Sequence, residues 1–182
     1  MELKQLLWIL NGANVHPIEA FFTYFPYGRQ DNVFQIGETN VAENLIRELI
    51  EYYHVSRIYT IDAHFFGKRD WTNKYPITDI SAIDLLKQAA SKDYQNIIYL
   101  APDAGSQLRT GLKGTEKKRK DSYAVEVQSD EYFRKTVKNQ TIGAIDDLLL
   151  TGGTLDRFHD ECMKYGAKEV IALITHGVLR MV

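Results

Sequence analysis

Apolar runs and amphipathic stretches alternate along this chain, and their spacing predicts strands and helices in turn. Leu3 to Leu10 reads as a helix stopped near Asn11-Gly12, and Ile18 to Phe25 as a β-rich run ended by Pro26. Val41, Leu45, Ile46, Leu49 and Tyr53 recur at helical spacing, which predicts a helix over Glu38 to Tyr53 with Thr39 as its cap. Arg57 to Ile61 reads as a short strand, Asp79 to Ser91 as an amphipathic helix, and Asn96 to Ala101 as a strand stopped by Pro102. Tyr123 to Val127 alternates like a half-buried strand. Thr141 to Ile145 predicts a strand, Gly152 to Tyr165 a helix ended by Gly166, and Glu169 to Ile174 a last strand. Strands separated by helices imply right-handed crossovers and an α/β fold of parallel sheets flanked by helices. A boundary near Trp71–Ile77 divides the chain into a first domain, 1–73, and a second, 74–182.

In such sheets ligands bind beyond the carboxyl ends of the strands. The polar clusters Asp62/His64, Asp103/Gly105 and Asp146/Asp147 fall at those ends. A formal charge of −2 argues against a general nucleic-acid binder. The one dense basic run, Lys113 to Lys120, makes any attraction for anions local, and the basic, glycine-containing stretch Thr110 to Ser122 around it is the best candidate for a mobile loop. A single cysteine, Cys162, allows no internal disulfide and suits a reducing compartment. No apolar run is long enough to span a bilayer, and Met1-Glu2-Leu3-Lys4 lacks the pattern of a signal peptide. A cytoplasmic location without membrane contact is therefore expected.

The most specific signal is the segment Gly143 to Thr154: two acids at a strand end, then a Thr-Gly-Gly-Thr turn opening a helix. Gly152 and Gly153 let backbone amides approach an anion closely, and the hydroxyls of Thr151 and Thr154 add donors. The helix N-terminus contributes unpaired N–H groups and a positive partial charge. Asp146 and Asp147 can accept hydrogen bonds from the 2- and 3-hydroxyls of a ribose. A pentose with a 5-phosphate fits both ends.

This string resembles the PRPP-binding signature of type I phosphoribosyltransferases. Five further segments follow in order. Tyr24-Phe-Pro-Tyr-Gly-Arg-Gln-Asp31, Thr60-Ile-Asp-Ala-His64, Ala101-Pro-Asp-Ala-Gly105, Glu116-Lys-Lys-Arg119 and Thr175-His-Gly-Val-Leu179 resemble motifs of the ribose-phosphate pyrophosphokinases (PRPP synthetases). The resemblance implies a type I phosphoribosyltransferase-like fold with a partial first domain. It also implies transfer of a pyrophosphoryl group from ATP to ribose 5-phosphate. Carried over by position, Arg29, Gln30, Asp31 and His64 would serve ATP, with Asp31 supporting its loop. His64 and Asp103 would place Mg²⁺ with the triphosphate, Lys117 and Arg119 would close over the transferring group, and Asp146, Asp147, Thr151, Gly152, Gly153 and Thr154 would hold ribose 5-phosphate.

Read without the family, His64 is equally a packed histidine, Asp103 a turn former and Lys113 to Lys120 a solvated charge run. Cys162 reads as a packing residue, and His176 has no assigned role. The chain departs from the pattern at Leu150, where the family carries a polar residue. It also has no counterpart of the segment that reaches a neighbouring subunit's adenine. Those departures predict association with another copy, and they open the alternative of an inactive binding subunit. A nucleobase phosphoribosyltransferase would need a hood over the base, and no segment is long enough to form one.

Overall fold

The structure is a computed structural model that describes residues 2–67, 69–114 and 131–178. The expected strand at Tyr123–Val127 and the expected catalytic cations Lys117 and Arg119 lie outside the described residues. The chain divides into two compact units, Met1–Ser81 and Ala82–Val182. That boundary lies beyond the expected 73/74 position. Ile77–Ile80 is a strand of the first sheet, and the short 3₁₀ turn Asp70–Lys74 only leads into it.

The first unit holds α1 (Glu2–Gly12), β1 (Ile18–Phe22), α2 (Val41–Arg47, followed by a wider π turn over Glu48–Tyr52), β2 (Val55–Ile61) and β3 (Ile77–Ile80). Its strands pair in parallel in the order β1-β2-β3. Leu7 of α1, Ile46 and Leu49 of the α2 segment, and Val55 and Ile58 of β2 pack with Phe25 and Phe65 in one core. Asn40, rather than Thr39, caps α2: its Oδ1 accepts from the Glu43 amide at 3.0 Å. Thr39 Oγ1 instead accepts from the Asn44 side chain. Asn11 ties α1 to the lead into β2 by donating to the carbonyl of Tyr53 at 2.8 Å.

The second unit holds α3 (Ile83–Asp93), β4 (Ile97–Leu100), α4 (Ala104–Thr110), a helix over 131–137 (α5), β5 (Thr141–Leu149), α6 (Gly153–Lys164) and β6 (Glu169–Gly177). The sheet is parallel in the order β4-β5-β6. The central strand β5 is buried from Thr141 through Asp147, because helices cover it and both edges are paired. The expected helix over Asp79–Ser91 is two elements, β3 and α3, divided around Ser81. A strand of four residues, Ile77-Thr-Asp-Ile80, is too short to announce its own period. Likewise β5 runs four residues further than expected, through Leu149, and β6 three, through Gly177.

Phe133 of α5 stacks edge-on to Phe158 of α6 and to Tyr165 beyond it. This cluster holds the helical layer over β5, with Ile142, Ala144 and Cys162 beneath it. Burial pushes the Cys162 thiol up to about 12, so it stays protonated and packs as a small apolar group. Gly143 lies directly under a ring: a Cβ there would stand 2.8 Å from Tyr99 Cδ1 and 3.0 Å from Ile97 Cγ2. Gly143→Val should therefore lower the unfolding free energy by about 1–3 kcal/mol through overpacking. Urea denaturation checks this, and an unchanged midpoint would refute the contact.

Candidate functional site

In the first unit the sequence-predicted residues gather at the carboxyl end of β2. The Tyr24–Asp31 segment turns tightly, with the Gly28 amide donating to Phe25 O and the Gln30 amide to Tyr27 O. Gly28 is buried, and a Cβ on it would stand 3.2 Å from Phe25 O and 3.9 Å from the His64 Cβ. The Arg29-Gln30 turn and the His64 turn thus abut. Arg29 and Gln30 are exposed, whereas His64 is half-buried. Phe65, next to His64, packs edge-on to Phe25 and against Trp71, which fixes the histidine's backbone.

Asp31 is buried, and its carboxylate is held by Arg69, Nε to Oδ2 at 2.9 Å and Nη2 to Oδ1 at 3.3 Å. It offers a ligand a fixed loop rather than a contact. Asp79 of β3, which sequence reasoning placed in a helix, holds the His64 turn. Its Oδ1 accepts from Thr60 Oγ1 at 2.6 Å and from the Ala63 amide at 2.9 Å. The only sequence signal for it is an acid interrupting an apolar run.

In the second unit Asp146 and Asp147 are the sixth and seventh of the nine residues of β5, not beyond its end, and are 7% and 5% exposed. Two adjacent buried carboxylates need a counter-charge. Arg109, from the last turn of α4, supplies it. Its Nη2 donates to Asp146 Oδ1 at 2.6 Å and also contacts Asp147 Oδ1. Sequence reasoning missed Arg109, and its side chain is 9% exposed. Its Nε and Nη1 are buried and make no hydrogen bond among the described residues. Buried donors left unmet cost about 1–3 kcal/mol each.

Asp103 caps the start of the same helix: its Oδ1 accepts from the Ser106 amide at 2.8 Å. Ser106 Oγ lies 2.8 Å from both Asp103 Oδ1 and Asp146 Oδ1. A hydroxyl has one proton, so it satisfies both contacts only when a carboxyl brings another. Asp146 is the group prepared to do so. Burial first, then the neighbouring Asp147 carboxyl, push it up to about 6, against the opposing pull of Ser106 and Arg109.

The predicted phosphate turn follows. Gly152 takes φ +81, a left-handed conformation that explains the glycine, and α6 starts at Gly153. Thr151 and Gly153 are exposed and Thr154 is half-buried. A cavity of about 340 Å³ adjoins the turn; Asp103, Thr154, Arg157 and Glu161 line it, so Asp103 and Thr154 share one concave surface. One feature opposes an anion: the Asp156 carboxylate lies 3.8 Å from where a Gly152 Cβ would be. Among the described residues no three His, Cys, Asp or Glu side chains cluster to hold a metal. No helix there is long and apolar enough to cross a membrane.

Two parallel sheets, with buried acids on the central strand of the second and a glycine turn opening the helix after it, define an α/β fold. The fold is shared with the phosphoribosylpyrophosphate synthetase of Mycobacterium smegmatis, with a TM-score of 0.70 and 23% identity over 98% of this chain and 61% of that one. No protein-family model matches the chain. Its curated homologues are named ribose-phosphate pyrophosphokinase. It is 28% identical to that of Ralstonia nicotianae over 98% of this chain and 58% of the relative. It is 29% identical to ribose-phosphate pyrophosphokinase 2 of Saccharomyces cerevisiae, and 30% to the Rhizobium meliloti protein, of which it covers 60%. The chain therefore spans less than two thirds of the relatives it matches.

The raised Asp146 sets a pH test. An acid whose folded pKa lies near 6 binds its proton more tightly than in the unfolded chain, where 3.8 applies. Its stabilising contribution is present below about pH 4 and is lost as pH rises to about 6. The unfolding free energy of the wild-type chain minus that of Asp146→Asn should thus fall by about 1–3 kcal/mol between pH 4 and pH 7. Urea titrations measure it, and a difference that stays flat or rises would sink the assignment.

Proposed function

We propose that this chain is a ribose-phosphate pyrophosphokinase, moving the pyrophosphoryl group of ATP to ribose 5-phosphate. One observation carries the reading: β5 and the start of α6 present paired acids and a phosphate-type turn in a single segment. The homologues' names, matched along nearly the whole chain, support it.

In this reading Thr151, Thr154 and the amides after Gly152 hold the 5-phosphate, and Asp146 and Asp147 accept from the ribose diol. The anomeric hydroxyl oxygen then attacks the β-phosphorus of ATP. A new O–P bond forms, the bond from the β-phosphorus to the oxygen bridging to the α-phosphorus breaks, and AMP leaves with that oxygen. The hydroxyl proton passes to solvent. Such a transfer is helped chiefly by positioning and charge neutralisation.

Arg29 and Gln30, exposed beside His64, would meet the nucleotide in this reading. Lys117 and Arg119 would supply cations over the transferring group. Mg²⁺ takes oxygen ligands, often one or two carboxylates together with substrate phosphates. Asp103, a carboxylate on the rim of the cavity, fits that chemistry, with His64 serving the same nucleotide. The ion would neutralise the triphosphate. Pairing with another copy of the chain belongs to the same reading, as does a cytoplasmic setting without nucleic acid.

A second reading, a binding subunit without turnover, is favoured by Leu150, an apolar residue in the turn itself. AMP release by the purified chain decides between them. We expect AMP only with ATP, Mg²⁺ and ribose 5-phosphate together, falling about 10²-fold or more in Lys117→Ala or Arg119→Ala. Calorimetric binding of ribose 5-phosphate without AMP would establish the second reading. AMP release indifferent to both substitutions would refute the mechanism.

A further inference from the structure

We propose that Arg109 is a positioning and specificity residue that gives the Asp146/Asp147 pair its power to distinguish ribose from deoxyribose. The proposal rests on the reading of this pair as the diol acceptor. A hydroxyl is recognised by a carboxylate only if the carboxylate is charged and fixed. Neither condition holds by default for two neighbouring buried acids, since like charges in a dry site push one of them to take a proton. Arg109 fixes both carboxylates and favours their charged form with one nitrogen, because Nη2 reaches Asp146 Oδ1 and Asp147 Oδ1 together. Beside the pair lie the Ser106 hydroxyl, at 2.8 Å from Asp146, and Asp103 on the far side of that serine. Neither supplies positive charge. In sequence Arg109 stands 37 residues from Asp146, on a helix whose first residue follows the capping Asp103.

The guanidinium is not saturated by this task. Nε and Nη1 are buried without a partner among the described residues, so only Nη2 is committed to the carboxylates. The phosphate turn is separate machinery made of backbone amides and threonine hydroxyls. Arg109 should therefore govern the diol end of the ligand and leave the phosphate end alone.

The experiment compares ribose 5-phosphate with 2-deoxyribose 5-phosphate by calorimetry on the full chain. The wild-type chain should prefer the ribose compound by about 10-fold or more, since a site built to bond a hydroxyl rejects the analogue without it. Arg109→Gln should bring the two affinities within about 3-fold of each other, chiefly by weakening the ribose compound. Arg109→Lys, which keeps a positive charge on a flexible stem, should recover most of the preference. If Arg109→Gln does not stay folded, the titrations are repeated in trimethylamine N-oxide, which favours the compact state. An unchanged preference in folded Arg109→Gln, or an equal loss for both sugars, would overturn the role of Arg109 and leave the proposed function standing. No binding of either sugar phosphate to the wild-type chain would overturn both.

Discussion

A single guanidinium nitrogen touching two buried carboxylates is the constraint on which the second unit is built. Asp146 and Asp147 occupy the most buried stretch of the central strand, where an unpaired charge is costly. With Arg109 present, the pair plus its cation carries one net negative charge instead of two. The helix that delivers Arg109 is only seven residues long, and an aspartate caps its start. A helix so short is marginal alone, so its register is set by what grips its two ends. Asp103 holds one end, and the carboxylates of β5 hold Arg109 at the other. Ser106 links them by touching Asp103 and Asp146 with one oxygen.

The first unit solves a related problem with the same currency of buried acids. Asp79 reaches from β3 to bond Thr60 and the amide of Ala63, which fixes the backbone that presents His64. Asp31 takes the Arg69 fork and so holds the loop that presents Arg29 and Gln30. In both units the groups offered to solvent are carried on turns whose shape is set by acids facing inward. Some acids that look functional in the sequence are therefore part of the scaffold. Asp103 has a share in each role, capping α4 while facing the cavity.

This division explains what the sequence made legible. The alternation of strands and helices, the α/β class and the glycine turn that opens α6 could all be read directly, because each is written in local terms. Gly152 is the plainest instance: a φ of +81 leaves glycine as the natural occupant, so the geometry marks the sequence. Asp79 was misplaced because a four-residue strand carries no clear period beside a strong helical one. The cap of α2 was assigned one residue early, since Thr39 and Asn40 are both good caps and only the geometry chooses Asn40. The boundary between the units moved for the same reason as Asp79, since β3 pairs with β2 and so belongs to the first sheet.

Arg109 was beyond such reading for a deeper reason. A phosphate is gripped by amides and hydroxyls within a few residues of one another, so its site is a contiguous string. A sugar diol needs carboxylates whose charge is set by a distant partner, and no short window of sequence contains both. The letters Asp-Asp are the same whether the pair is charged, half-protonated or neutralised by a cation from another helix. Only the packing of α4 onto β5 decides among these states, through Ser106 and Arg109. Similarity to a family can point to the glycine turn after β5 while leaving the electrostatic state of the adjoining acids open. Here that state follows from one arginine buried at the end of a seven-residue helix.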